Sequence, residues 1–180
     1  MLGWHSLAAG EQQSYALSTM LDKEESLTKV HIDLPNHWAI DGESLWALEL
    51  GEDLYEIRNT PFHAYAINWG DIVRAPADNE DQIPEVREIV KRSGHDTFRI
   101  LFNSDLDQEG QDSILLALQS LNLSWERCDD CFVALDVHPG ADLYAVHSKL
   151  LDLQKEKVLS FETCEARLPG GFDAASSEGN

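Results

Sequence analysis

Basic residues are scarce in this chain. Its 180 residues include 13 Lys and Arg against 33 Asp and Glu, a formal net charge of -20. Naked DNA, RNA and anionic bilayers are bound by cations that release counterions, so these are excluded as natural ligands. Cysteine is also rare, with three residues at irregular spacing. An odd, irregular set gives no disulfide framework and points to a reducing cytoplasm. No apolar run approaches the roughly 18 residues of a membrane-spanning helix. The opening residues Met1-Leu2-Gly3-Trp4-His5 lack the basic start and apolar stretch of a secretory signal. Catalytic signatures are missing as well: no G-x-S-x-G elbow, no phosphate-cradling glycine loop and no H-x-x-x-H helix pair.

Apolar material is not missing. Hydrophobic residues make up 43% of the chain, with five Trp, four Tyr and six Phe, which supports a packed core and argues against disorder despite the charge. The pattern changes character near residue 96. Before it, Val30, Ile32 and Leu34 alternate with His31 and Asp33, the period of a half-buried strand. The runs 45–50 and 54–57 flank Gly51-Glu52-Asp53 as a hairpin, and 72–75 and 86–90 supply two more strands. After it, 97–102 reads as a strand and Ile114, Leu115, Leu118 and Leu121 form one helical face. Asp105 or Asp107 is placed to cap that helix and Asn122 to stop it. Strands follow at 123–128 and 132–137, then a helix carrying Leu143, Val146, Leu150 and Leu153, then a strand at 158–164.

The expected fold class is therefore α+β: a small antiparallel β-barrel-like N-terminal half, then a ferredoxin-like β-α-β-β-α-β half. The expected organisation is an appendage at 1–28, with one weak helix at 10–23, an antiparallel β domain at 29–94, the α+β domain at 95–166 and a flexible tail at 167–180.

Four segments, 45–51, 55–65, 69–75 and 92–99, carry the block Asn59-x-Pro61-Phe62-x-Ala64-Tyr65, then Gly70-Asp71-x-Val73, then Ser93-Gly94-His95. Together they resemble a bacterial family known only as a domain of unknown function, over roughly residues 29 to 160. The resemblance brings no activity and no catalytic residue. Physical chemistry gives these positions structural roles. Pro61 starts a turn, Phe62 and Tyr65 anchor a loop, Gly70 and Gly94 permit positive φ, and Asp71 satisfies neighbouring backbone N–H groups.

Three local patterns imitate known chemistry. Asp105-x-Asp107-x-Glu109-Gly110 starts like a calcium loop, but Leu116 replaces the bidentate Glu at the twelfth position, so an acidic helix start is expected. Cys128-Asp129-Asp130-Cys131 has a C-x-x-C spacing at a hairpin turn, with only Cys164 and His138 to complete a zinc set. Packing is the expected role there, and no metal or cofactor is assigned. His63, Asp71 and His95 form the candidate hydrolase-like site, on condition that folding brings a nucleophile alongside.

The acids recur in expected loops and turns: Glu52 and Asp53; Asp78, Glu80 and Asp81; Asp105, Asp107 and Glu109; Asp129 and Asp130. Solubility needs a net charge of only about 2–8 on a small domain. The leading expectation is a cytoplasmic immunity-type inhibitor that occludes a basic cognate toxin domain through these residues. Trp38, Trp46, Trp69 and Trp125 are its candidate anchors. An enzyme with the histidine site, or a plain protein-interaction module, is the alternative.

Overall fold

A computed structural model describes residues 26–163, except 36, 78 and 80. The helix read at 10–23, the tail at 167–180, Cys164, Asp78 and Glu80 lie outside the described residues. Within them the chain is α+β, with two antiparallel sheets and two helices.

The first sheet has strand order β1-β2-β3-β4-β5, formed by β1 (Leu27–Asp33), β2 (Gly42–Gly51), β3 (Leu54–Ile57), β4 (Ile72–Arg74) and β5 (Glu88–Lys91). β1 begins two residues before the sequence pattern places the first element. Alternation decides the faces: Val30, Leu45, Ala47, Ile57 and Val73 are buried together, while Trp46 and Leu27 stay exposed. β1 also bonds beyond β2. His31 N donates to Pro84 O (2.8 Å) and Val86 N donates to His31 O (2.8 Å), so the first strand meets the segment entering the last.

The second sheet has order β7-β8-β6-β9, from β6 (Asp96–Phe102), β7 (Leu123–Arg127), β8 (Phe132–Val137) and β9 (Leu159–Thr163). Helices α1 (Gln108–Leu118) and α2 (Leu143–Lys155) connect β6 to β7 and β8 to β9. Their starts are fixed by side-chain caps. Asp107 Oδ1 accepts from Gly110 N (2.9 Å), and Asp142 Oδ1 accepts from Tyr144 N and Ala145 N. The acidic 105–109 run is thus a helix start. Leu115, Leu118, Val146 and Leu150 pack on Phe98, Ile100, Val133, Leu135 and Val137, the alternate residues of one sheet face. No helix among the described residues is long and apolar enough to cross a membrane.

The other face of the second sheet explains why β8 is buried at every position. It is covered by the β3–β4 connection, residues 58–71. Thr60 donates from N (2.7 Å) and Oγ1 (3.0 Å) to Glu126 Oε1. Phe62 packs on Phe132, with ring centroids 5.8 Å apart. Arg99, fully buried on β6, donates to the carbonyls of Pro61 and Ala64 and to Glu162 Oε1, and stacks on Tyr65. Tyr65 Oη donates to the same Glu162 oxygen at 2.7 Å. Thr97 donates to Asn68 (2.8 Å). A polar row on one sheet is read by the backbone of a loop from the other. At the start of the loop, Glu43 accepts from the N–H groups of Phe62, His63 and Ala64 at 2.8, 2.9 and 2.7 Å.

Candidate functional site at the seam

The connection leaves the second sheet at Trp69, and there the seam opens into cavities. One of about 430 Å³ is lined by Trp69, His95, Ser124, Asp136, His138 and Pro139. Two more, of about 410 and 290 Å³, also have His95 in their walls. His95 is where they meet.

Strand register builds the site. Asp136 on β8 lies opposite Ser124 on β7 and Thr97 on β6, so one cross-strand row carries three polar residues on the face away from the helices. Asp136 is 3% exposed, and its carboxylate divides between two imidazoles. Oδ1 lies 2.7 Å from His95 Nδ1, and Oδ2 lies 3.5 Å from His138 Nε2. Ser124 Oγ stands 3.1 Å from that same His138 nitrogen. An ionised carboxylate accepts only, so His95 carries its proton on Nδ1 and presents Nε2 as a base. Among the described residues nothing bonds that Nε2.

The loop below holds His95 in place. Gly94 has φ of 86° and Gly70 has φ of 74°, values that an L side chain adopts at a cost. A Cβ on Gly70 would meet Ser93 Cβ at 3.1 Å. Asp71, fully buried, accepts from Asn68 N (3.1 Å), Arg92 Nη1 (3.0 Å) and Ser93 N (2.8 Å). Ser93 Oγ lies 2.7 Å from Trp69 O and accepts from His95 N at 3.1 Å. Trp69 packs on His95 (centroids 4.9 Å) and takes the Arg58 guanidinium at 5.5 Å from its ring.

Of the candidate trio, Asp71 and His95 come within one serine of each other, but the Asp71 carboxylate is occupied by the loop. His63 is elsewhere. It packs on His37 (5.3 Å) and Phe132 (5.5 Å) at the start of β8, whereas His95 pairs at its far end. The nucleophile-type hydroxyl is that of Ser124, and the carboxylate is Asp136. Sequence reasoning passed over Ser124, counted Asp136 only among the acids, and weighed His138 only as a zinc ligand. Their signal is a polar residue in an otherwise apolar strand, Asp136 within Phe132–Val137, read with strand alternation.

The acidic candidates separate into groups. Glu52 and Asp53 form the exposed β2–β3 turn, with φ of 54° and 58°. Asp105, Asp107 and Glu109 follow β6, and Asp129 and Asp130 sit between β7 and β8. These two loops lie at one end of the second sheet, since Phe102 N donates to Cys131 O. Glu52 lies just past the far end of β2 from Glu43, whose charge reaches Cys128 in that turn. Asp81 is exposed in the β4–β5 connection. Asp107 caps α1, and Asp129 Oδ1 accepts from Cys131 N and Phe132 N, both at 2.8 Å. Burial, then the charges of Asp129 and Glu43, push the Cys128 thiol above its ordinary value. That is the reverse of a redox-active cysteine. Of the tryptophans, Trp38 is 58% and Trp46 is 47% exposed, and Trp125 packs against the second core.

No curated protein matches the chain. Its fold is similar to that of a solved structure described as the novel crystal structure of a hypothetical protein from Neisseria gonorrhoeae. The TM-score is 0.66 at 16% sequence identity, over 80% of this chain and 98% of that one. Residues 43–161 match the family described as "Domain of unknown function (DUF4265)". They contain both strands of the Ser124–Asp136 row and the loop that covers it, and the chain belongs to that family.

Proposed function

We propose that the seam cleft is a hydrolase-like acid–base site with His95 as proton acceptor. The observation that carries this reading is the 2.7 Å contact between His95 Nδ1 and the buried Asp136 carboxylate at the meeting point of three cavities. A carboxylate on Nδ1 fixes the tautomer and steadies the imidazolium that forms when Nε2 takes a proton. A structural histidine needs no such opening. The finer architecture that accompanies this reading is a barrel-like first half on a ferredoxin-like second half, joined by the 58–71 strap. The test is turnover of p-nitrophenyl acetate and p-nitrophenyl phosphate by the full chain. At least one is hydrolysed, and His95→Gln and Asp136→Asn each lower the rate by about 10²-fold or more with the circular dichroism unchanged. Wild-type rates in both variants contradict the reading.

A second reading is the cytoplasmic immunity-type inhibitor of a basic toxin domain. The observation in its favour is that Glu52, Asp53, Asp81, Asp105, Glu109 and Asp130 are exposed and form no ion pair with a described residue. Such carboxylates steer a basic partner at low salt. A pull-down at about 50 mM and 500 mM salt tests it, because screening at the higher concentration shortens the Debye length to a few Å. A single basic partner weakened by salt supports it. No partner at either salt contradicts it.

A further inference from the structure

We propose that Ser124 is a nucleophile, that His138 is its proton acceptor, and that the cleft's substrate class is a carboxylic ester. This deepens the acid–base reading of the same cleft and rests on it.

Register and alternation place the hydroxyl. Leu123 is buried in the core of the second sheet and Trp125 packs against it, so Ser124 faces the other way, into the row with Asp136. His138 follows directly on β8. Its backbone is pinned at both groups, His138 N donating to Asn122 O (3.1 Å) and Ala141 N donating to His138 O (3.1 Å). The imidazole therefore turns back over the row and sets Nε2 at 3.1 Å from Ser124 Oγ. A serine hydroxyl is a weak nucleophile until an adjacent base takes its proton, and this pair has the required reach.

Asp136 supplies the charge that the step needs. The step takes the tautomer in which His138 holds its proton on Nδ1, so that Nε2 accepts from the serine at 3.1 Å. When Nε2 takes the serine proton, the new imidazolium N–H lies 3.5 Å from Asp136 Oδ2. The carboxylate thus faces the nitrogen that becomes protonated, whereas a Ser-His-Asp triad places it on the other ring nitrogen. Asp136 serves both histidines with one buried charge.

Ser124 Oγ bonds to the ester carbonyl carbon while its proton passes to His138 Nε2 and the carbonyl π pair moves to oxygen. Collapse restores the carbonyl and breaks the bond to the alcohol oxygen, which takes the proton back from His138. Water then attacks the acyl group on Ser124 as His95 Nε2 takes one of its protons. The serine oxygen leaves with the other proton of that water, the carboxylate departs, and His95 gives its proton to solvent. The cavity of about 430 Å³ sets nucleophile, base and His95 beside the apolar walls of Trp69 and Pro139. That volume lies in the range that holds a small organic ligand.

The experiment uses the full chain, p-nitrophenyl acetate and a fluorophosphonate, with intact-mass and peptide-mapped readout after acid quench. One adduct is expected, on Ser124, absent in Ser124→Ala and formed about 10²-fold more slowly in His138→Ala. An adduct on another residue, or none on Ser124 with either probe, overturns the proposal. If Ser124→Ala keeps the wild-type hydrolysis rate while His95→Gln loses it, the nucleophile is wrong and the acid–base reading survives. If both keep it, both fall.

Discussion

The guanidinium of Arg99 lies 4.4 Å from the ring centre of Tyr65, and both residues bond the same oxygen of Glu162. One of them comes from a strand of the second sheet and the other from the loop that leaves the first. The contact closes the seam that the candidate site occupies, and it buries a full cation.

Removing that cation takes one donor from the Glu162 carboxylate, which Tyr65 still bonds, and one from each of the Pro61 and Ala64 carbonyls. Arg99→Ala is expected to cost about 3–5 kcal/mol of stability, the usual result of breaking a buried ion pair from one side. The double variant Arg99→Met with Glu162→Gln recovers a large part of the loss, because no charge is then left buried. Urea unfolding of the three proteins checks this, with equal midpoints for the single and double variants as the contrary result.

Glu43 does for the start of the connection what Asp71 does for its end. Three N–H groups converge on its carboxylate, and hydrogen bonds to a charged group are worth about 1.5–3 kcal/mol each before loss of neighbouring order. Glu43→Ala is expected to destabilise by at least about 2 kcal/mol, with Glu43→Gln between. Amide exchange at residues 62–64 should rise in step, and unchanged exchange contradicts the assignment.

Glu52 and Asp53 both hold positive φ in a two-residue hairpin turn. Asn-Gly is the preferred pair for such a turn. Glu52→Asn with Asp53→Gly is expected to raise stability by about 1 kcal/mol by relieving backbone strain. A lowered thermal midpoint contradicts this.

The Cys128 thiol titrates above its ordinary value, first through burial and then through Asp129 and Glu43. The residue as a whole is exposed, so its desolvation is partial. The native chain holds this proton more tightly than the unfolded chain does. The contribution to stability is therefore full below the ordinary thiol pKa and is lost as pH rises through the native value. In a background lacking the other two cysteines, iodoacetamide at pH 8 should modify the native chain more slowly than the urea-unfolded chain. Asp129→Asn should close part of that gap, since Asn still accepts the two turn N–H groups. Faster modification of the native chain is the contrary result.

The strands were legible because each element has its own local period. Val30, Leu45, Ala47 and Ile57 alternate as a half-buried sheet must, and Leu115 and Leu118 repeat as a helix face must. Asp107 and Asn122 mark the ends of the first helical segment by their chemistry. The turn roles of Gly70, Gly94 and Asp71 were legible for the same reason. The site was not, because its parts come from distant stretches. Asn68 meets Thr97, Trp69 meets His95, and His95 meets Asp136 only after two sheets close on one loop. No local period records that. The trace left in the sequence is Arg99 and Asp136, charged residues inside apolar strands, which a buried strand tolerates only where partners are supplied.

On the proposed reading, Asp136 fixes His95 so that Nε2 faces the cleft as a base. Long-range ¹H–¹⁵N correlation spectra of the imidazoles at pH about 8 measure this directly. His95 is expected to carry its proton on Nδ1, with Nε2 bare, and Asp136→Ala is expected to scramble the tautomers. A His95 protonated on Nε2, in a folded chain with Asp136 intact, contradicts it.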